Sequence, residues 1–97
     1  MKLQQLRFLA IVAQNKLNLT AAAAKLGATQ PAVSKQLKLL EEELGFRLFE
    51  RHGRAFTRIT APGELVLRHA LRLLKEAQSI KAVSEGFHEQ KRGALNT

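Results

Sequence analysis

Cysteine is absent from this 97-residue sequence, and so are long apolar runs. Without cysteine the chain can form neither a disulfide nor a thiolate metal site. No apolar run reaches the roughly 18 residues that a membrane-spanning helix requires. The N-terminal segment MKLQQLRFLAIVAQ is broken by Arg7, so it lacks the hydrophobic centre of a secretory signal peptide. We therefore expect a cytoplasmic protein that has no membrane partner.

Motifs of catalysis and metal binding are also missing. The histidines at 52, 69 and 88 are 17 and 19 residues apart, and no carboxylate accompanies them at ligand spacing. A zinc site is therefore not expected. The sequence contains no Gly-rich phosphate loop, no nucleophilic serine motif and no paired acids suited to acid–base chemistry. We predict a protein that is not an enzyme and that needs no metal or cofactor.

Acidic residues are few, and every one of them is Glu. Lys and Arg total 16 against 8 acids, which gives a formal charge of +8 and a pI of about 10.7. Such a charge favours a polyanionic partner, either nucleic acid or a membrane surface, and the lack of apolar runs favours nucleic acid. A chain of 97 residues is long enough for one small domain with an extended appendage.

The segment LTAAAAKLGATQPAVSKQLKLLEEEL, residues 19–44, predicts two helices joined by a very short turn. Thr20 can cap the first helix, and Gly27 stands where that helix would end. Thr29 can cap the second helix, whose first turn accommodates Pro31 because the missing N–H of proline does no harm there. This layout is typical of a helix-turn-helix, here at about residues 19–38, whose second helix enters the major groove of DNA.

The second helix of this pair has two distinct faces. One face is an apolar stripe spaced 4, 3, 4, formed by Val33, Leu37, Leu40 and Leu44. The opposite face carries Lys35 and Lys38 in its first half, while the acids follow in the second half, where they would point away from a duplex. The alternative is an ordinary amphipathic helix with a solvated charged face. The Ala-rich helix before it favours the DNA-binding interpretation, because small residues allow the close approach that a tight turn demands.

Residues 46–60 predict a basic hairpin. The strands would be 48–51 and 56–60, and Gly53 can adopt a positive φ in the turn between them. Residues 45–60 contain four arginines and one glutamate, a net charge of +3 out of the total +8. A basic hairpin after a helix-turn-helix is a wing, whose tip can place an arginine in the minor groove. The alternative is a solvated hairpin whose arginines only keep it soluble.

A long helix is predicted from residue 61 to about residue 89, with Pro62 and Glu64 in its first turn. An apolar seam of heptad spacing follows it: Val66, Ala70, Leu73, Ala77, Ile80, Ser84 and Phe87. A second stripe, Leu67, Leu71 and Leu74, would pack on the domain itself. Burying both stripes predicts a homodimer, and the alternative is a single helix lying flat on its own core. Residues 90–97, a basic tail that contains glycine, are expected to begin a hinge.

The order of helix, helix-turn-helix, wing and long helix resembles the N-terminal domain of LysR-type transcriptional regulators. The motifs that carry the resemblance are AAAAKLGATQPAVSKQLKLLEEELGFRLFER, HGR and ITAPGE, and the match covers about residues 1–87. The opening MKLQQLRF and Lys35 further resemble the branch that contains the cysteine-biosynthesis regulators. The fold class expected is mainly α: a winged helix-turn-helix of three helices and a two-stranded wing, followed by a long linker helix for dimerisation.

The resemblance implies a DNA-binding surface at the start of the recognition helix and at the wing tip. Its residues here are Thr29, Gln30, Pro31, Ala32, Ser34, Lys35, Lys38 and Arg54. Gln can pair with adenine and Lys can donate to guanine in the major groove, whereas Lys38 is better placed for phosphate. Many members have Arg where this chain has Lys35, so base preference should be looser because Lys lacks the planar fork.

The resemblance also implies partners. Long helices of similar proteins pair in an antiparallel dimer on promoter DNA, which predicts binding to an interrupted palindrome. Two dimers would form a tetramer through a C-terminal domain that binds a small-molecule effector. Two other functions remain open from the residues alone: a non-specific architectural binder driven by net charge, and a protein-interaction adaptor whose long helix is a coiled coil.

Overall fold

A computed structural model describes the backbone of residues 1–96 and the side chains of residues 1–88. The described backbone forms four helices and a two-stranded sheet. In chain order these are α1 Leu3–Gln14, α2 Leu19–Leu26, α3 Gln30–Leu44, β1 Phe49–His52, β2 Ala55–Ile59 and α4 Ala61–Asn96. The mainly α, winged helix-turn-helix architecture that the sequence predicts is confirmed. Among the described helices, none is both long and apolar enough to cross a membrane.

The core lies where α1, α2 and α3 meet, and the wing and the base of α4 close it. Its largest fully buried side chains are Phe49, Leu9, Leu37, Leu40, Leu48, Val12 and Val33. The apolar stripe of α3 thus faces inward as predicted, with Leu44 half-buried at its end. Each such side chain contributes about 1.5–3 kcal/mol when buried. This packing fixes the opposite face of α3 toward solvent.

The caps of the helix-turn-helix show one departure from the prediction. α2 begins two residues earlier than expected, and its cap is Asn18, whose Oδ1 accepts from the Ala21 N–H at 3.0 Å. The prediction that Thr20 caps this helix is therefore wrong, because Thr20 already lies in the first turn. Gly27 ends α2 with φ 64°, and Thr29 Oγ1 accepts from the Ala32 N–H at 3.3 Å, as predicted.

The wing is an antiparallel hairpin with a tighter turn than predicted. Its pairs are Phe49↔Ile59, Glu50↔Arg58, Arg51↔Phe56 and His52↔Ala55, with an irregularity between residues 50 and 51. Because His52 and Ala55 pair with each other, the turn consists of Gly53 and Arg54 alone, and Gly53 has φ 61°. Phe49 and Phe56 lie on the same side of the hairpin, because Phe56 pairs with Arg51 and residues 49 and 51 share a face of β1; their rings stack 4.7 Å apart.

α4 is anchored to the wing by its first residues and is longer than predicted. Thr60 Oγ1 accepts from the Gly63 N–H at 2.9 Å and donates to the Arg47 carbonyl at 2.6 Å. The helix continues to Asn96, so the end predicted near residue 89 is not a helix end in the structure. The segment that follows residue 89, QKRGALN, consists mostly of good helix formers, and its single glycine costs only about 1 kcal/mol.

The base of α4 corrects the predicted division of its two stripes. Ala70, expected in the outward seam, is only 1% exposed and lies in the core of its own chain, and Val66 is half-buried against the same core. Leu71, expected to pack inward, is 42% exposed. The base of α4 packs against α1, and the helix face turned toward the core there carries Ala70. Beyond this contact, Ile80 is 71% exposed, as its place in the seam requires.

Candidate nucleic-acid interface

The first turns of α3 present the predicted base-reading residues to solvent. Pro31, Ala32 and Lys35 are exposed, and Lys38 is exposed one turn further on. Gln30 and Ser34 are half-buried at the flanks of this face. The helix cannot roll away from this orientation, because its other face is buried in the core. A helix held in this orientation presents hydrogen-bond donors and small apolar groups to solvent, and the major groove of DNA is wide enough to admit an α-helix.

The wing and α3 form the two walls of one open groove. It is lined by Gln30, Pro31, Ser34, Lys35, Lys38, Arg51, Arg54 and Phe56. The structure therefore brings together six of the eight residues that were predicted to bind DNA. The other two lie outside the lining: Thr29 is the cap of α3, and Ala32 is exposed on the helix beside the groove. Arg54, at the tip of the wing, is exposed.

A neighbouring groove extends this surface to the N-terminal end of α2. Arg54 and Gln30 line it together with Asn18 and Thr20. The N-terminal end of a helix favours negative charge, because its first N–H groups point outward along the helix axis. Sequence reasoning did not place these α2 residues at the interface. Their proximity to the wing depends on how the hairpin folds back, which no local pattern encodes.

Glu41, near the end of α3, makes a buried ion pair that the sequence analysis did not anticipate. The side chain of Glu41 is only 7% exposed, whereas the sequence predicted only that the acids of this helix would point away from a duplex. Its Oε1 accepts from Arg51 Nη2 at 2.5 Å, and its Oε2 accepts from the Leu48 N–H at 2.7 Å. A signal was present in the sequence: residue 41 falls on the same helical face as Val33 and Leu37.

A second ion pair on the wing is exposed. Arg58 donates to Glu50 from Nε at 2.8 Å and from Nη2 at 3.0 Å. The hydrogen bond from Arg58 lowers the pKa of Glu50, and the same bond raises the pKa of Arg58. Exposed pairs of this kind contribute little stability, because water screens them.

These two pairs redistribute the charge of the wing. Of its four arginines, Arg51 and Arg58 are paired, while Arg47 and Arg54 form no salt bridge within the described residues. The positive charge of the wing that is not neutralised by a salt bridge therefore lies at Arg47, before the first strand, and at Arg54, in the turn. The described residues also contain no group of three side chains that could hold a metal ion.

Comparison with known proteins identifies relatives over most of this chain. The family described as "Bacterial regulatory helix-turn-helix protein, lysR family" matches residues 3–64. The HTH-type transcriptional regulator CysB of Haemophilus influenzae is 42% identical over 95 residues, which cover 98% of this chain and 29% of that protein. CysB of Burkholderia cenocepacia is 40% identical over 95 residues, covering 98% and 30%. The chain thus spans about 30% of the length of these curated relatives.

Solved structures share the same fold. The DNA-binding domain of BenM in complex with catB site 1 DNA superposes with a TM-score of 0.79 at 34% identity, covering 88% of this chain and 89% of that one. The complex of the CbnR DNA-binding domain with DNA gives a TM-score of 0.78 at 35% identity, covering 89% and 97%. Both structures were solved on a duplex, so the groove described above can be judged against proteins that bind DNA.

Proposed function

This chain belongs to the lysR family of bacterial regulatory helix-turn-helix proteins, and we propose that it binds promoter DNA sequence-specifically as the DNA-binding domain of a transcriptional regulator. The observation that carries this proposal is the single groove that joins the exposed start of α3 to the tip of the wing. Its cations lie opposite the buried face of α3, which is apolar except for Glu41, so their exposure is the consequence of a fixed helix orientation.

In this proposal α3 lies in the major groove and its first turns read base edges. Gln30 pairs with adenine through its amide, and Lys35 donates to guanine O6 and N7. Pro31 and Ala32 contact the methyl group of thymine. Ser34 can donate to or accept from any base within reach, and Lys38 binds phosphate. The buried stripe of α3 keeps these residues from turning away, so binding requires little reordering.

The wing contributes a minor-groove contact. Arg54 is exposed at the tip of the hairpin, next to Gly53, and makes no salt bridge within the described residues. A narrow minor groove concentrates negative potential, so an arginine inserted there is favoured at A·T-rich sequence. The wing would thus read groove width on the flank of the bases that α3 contacts.

We further propose that two copies bind an interrupted palindrome through α4. Leu73, Ile80 and Phe87 are 48%, 71% and 63% exposed, and they repeat at heptad spacing on one face. Ala77 and Ser84 lie between them and would allow close packing. Val66 and Ala70 are largely used by the core of their own chain, so this interface begins at Leu73. A symmetric dimer then sets the distance between two half-sites.

The whole protein would act in the cytoplasm as a regulator and not as an enzyme. In this proposal a C-terminal domain binds a small-molecule effector and joins two dimers into a tetramer, as in similar regulators. The relatives support a longer protein, since this chain covers about 30% of their length.

Selection of binding sites from random duplexes tests the proposed function. We expect enrichment of an interrupted palindrome, with affinity for it about 10³-fold or more above that for scrambled duplexes at physiological salt. Inserting half a helical turn between the half-sites should abolish tight binding, whereas a full turn should restore part of it. Equal affinity for all duplexes would favour the architectural binder. Self-association without DNA binding would favour the adaptor.

A further inference from the structure

A single carboxylate connects the recognition helix to the wing. Glu41 reaches from the last turn of α3 to the backbone at the start of β1, where its Oε2 accepts from the Leu48 N–H at 2.7 Å and the Phe49 N–H at 3.3 Å. The same oxygen accepts from Arg51 Nη1 at 3.3 Å, and Oε1 accepts from Arg51 Nη2. One side chain of the DNA-reading helix thus holds two backbone groups and one side chain of the wing.

Arg51 carries this connection across the hairpin. Its guanidinium lies 4.6 Å from the centroid of the Phe56 ring, on the opposite strand, and Nη1 also donates to the Phe49 carbonyl at 3.3 Å. Phe56 stacks in turn on Phe49. Arg51 therefore contacts both strands of the wing and lines the groove between the wing and α3. Two residues separate it from Arg54 at the tip.

Glu41 supports the fold by accepting from the Leu48 and Phe49 N–H groups, which an apolar residue at position 41 would leave without this acceptor. The ion pair with Arg51 is not required for stability in the same way, because replacing a buried ion pair by apolar residues is often neutral or stabilising. An isolated hairpin of two short strands is only marginally stable in water, so its angle to α3 must be set by contacts outside the sheet. Among the described residues, the Glu41 carboxylate makes the only ion pair between α3 and the wing.

We propose that Glu41 is a positioning residue for DNA recognition, which acts through Arg51 to hold the wing tip where Arg54 reaches the minor groove while α3 occupies the major groove. This inference rests on the proposed function. Arg54 contributes most to affinity when the wing is already ordered in the free protein. A mobile wing would have to become ordered on binding, and the entropy lost in that step would reduce the affinity.

The sign of the expected effect separates this role from simple electrostatics. Glu41 is an acid close to a surface that binds a polyanion. If charge alone mattered, replacing it by a neutral residue would strengthen binding to every duplex. A positioning role instead predicts weaker binding to the duplex whose flank is A·T-rich. The contact of the wing is lost, and with it the preference for an A·T-rich flank.

The test compares Glu41→Gln with Glu50→Gln in the intact chain. Both variants remove one negative charge from the same region, but Glu50 pairs with Arg58 on the exposed face of the hairpin. Affinity is measured on two cognate duplexes that differ only in an A·T-rich or a G·C-rich flank. We expect Glu41→Gln to lower the A·T preference about tenfold, down to the value of Arg54→Ala, since one charge-assisted contact is lost. Glu50→Gln should keep the wild-type preference.

Two further measurements exclude a merely structural explanation. Glu41→Gln should have no additional effect on flank preference in an Arg54→Ala background, whereas partial unfolding would weaken both duplexes and add to the effect of Arg54→Ala. Arg51→Lys, which keeps the charge but lacks the bidentate fork, should lose the same preference. In the free variants, the ¹⁵N relaxation of Gly53 and Arg54 should report a more mobile wing tip, while the amides of α3 stay rigid.

The outcomes distinguish failure of this inference from failure of the proposed function. If the wild type binds its site specifically with an A·T preference, and Glu41→Gln and Arg51→Lys both retain that preference, the positioning role is overturned and the proposed function stands. Additive loss in the Arg54→Ala background overturns it too. A wild type with no specific binding overturns the proposed function itself.

Discussion

Gly63 lies against the carbonyl oxygen of Leu48, so closely that a β-carbon at position 63 would overlap this oxygen. The same β-carbon would be 2.9 Å from Ile59 Cγ1 and from Thr60 Oγ1. The Leu48 carbonyl also accepts from the Thr60 N–H at 2.9 Å. The first turn of α4 is therefore in direct contact with the backbone at the root of the wing, and glycine is required there for space.

Replacing Gly63 with alanine should destabilise the fold by about 1–3 kcal/mol, because the Leu48 backbone oxygen that the new β-carbon would meet cannot move without displacing the wing. Gly86→Ala is the matched control. Gly86 also lies within α4, but nothing stands within 4 Å of its β-position, so this change should stabilise the helix by about 0.5–1 kcal/mol. Chemical denaturation measures both. Equal effects of the same sign would contradict the close contact at residue 63.

The cap of α2 can be tested by a pair of neighbouring substitutions. Asn18→Ala should cost about 1 kcal/mol of stability, since the Ala21 N–H loses its acceptor. Thr20→Ala should change stability by less than about 0.5 kcal/mol, because Thr20 is exposed and caps nothing. Thermal unfolding of both variants decides between the two caps, and a larger loss for Thr20→Ala would reinstate the capping role that the sequence predicted for it.

Base reading and phosphate binding should separate at Lys35 and Lys38. Lys35→Ala should cost about 1–3 kcal/mol on the selected site and little on scrambled duplexes. Lys38→Ala should weaken binding to both duplexes alike and reduce the salt slope by about one unit. Affinities at several salt concentrations give both quantities. If Lys35→Ala weakens both duplexes equally, Lys35 does not read bases.

Self-association should depend on the outer face of α4. Ile80→Glu should give monomers, because an unpaired charge would be buried between two chains. Gln78→Glu introduces the same charge about half a turn around the helix and should leave the dimer intact. Sedimentation velocity distinguishes the two species. A dimer that survives Ile80→Glu, and a corresponding Leu73→Glu, would place the interface elsewhere.

The Glu50–Arg58 pair predicts a small pH dependence of stability. The hydrogen bond from Arg58 lowers the pKa of Glu50 in the folded chain, so the pair stabilises the fold above the ordinary glutamate pKa. This stabilisation is lost as the pH falls through the lowered pKa and Glu50 becomes protonated. The melting temperature of the wild type should therefore drop further between pH 6 and pH 3 than that of Glu50→Gln. Identical slopes would show that the pair contributes nothing in solution.

The spacing of apolar residues predicted the helices well, because apolar residues repeated at the helical period lie on one face and that face is buried. The stripe of α3 that begins at Val33 is buried as its spacing indicated, and the start of α4 near Pro62 follows from its first-turn residues. Six of the eight predicted DNA-binding residues line one groove, since they belong to the exposed remainder of α3 and to the turn of the hairpin.

The errors arose where tertiary contacts decide the outcome. The sequence is compatible with Ala70 either in the heptad seam between two chains or in the core of its own chain. Only the tertiary packing of α4 places it in the core. Arg51 and Arg54 are both arginines of the predicted hairpin, and only the tertiary structure shows that Glu41 of α3 neutralises Arg51. The cap moved from Thr20 to Asn18 because both residues can accept a hydrogen bond, and the preceding loop places only Asn18 correctly.

The contact between Gly63 and Leu48 makes α4 a lever. At about 1.5 Å per residue, its 36 residues span roughly 54 Å, so a tilt of about 10° at the base moves the far end by about 9 Å. The ratio works in both directions. If α4 moved as a rigid rod, a displacement of about 3 Å at its far end would correspond to a rotation of about 3° at its base. Because glycine has no side chain at this contact, such a rotation would act directly on the Leu48 backbone, which immediately precedes the first strand of the hairpin.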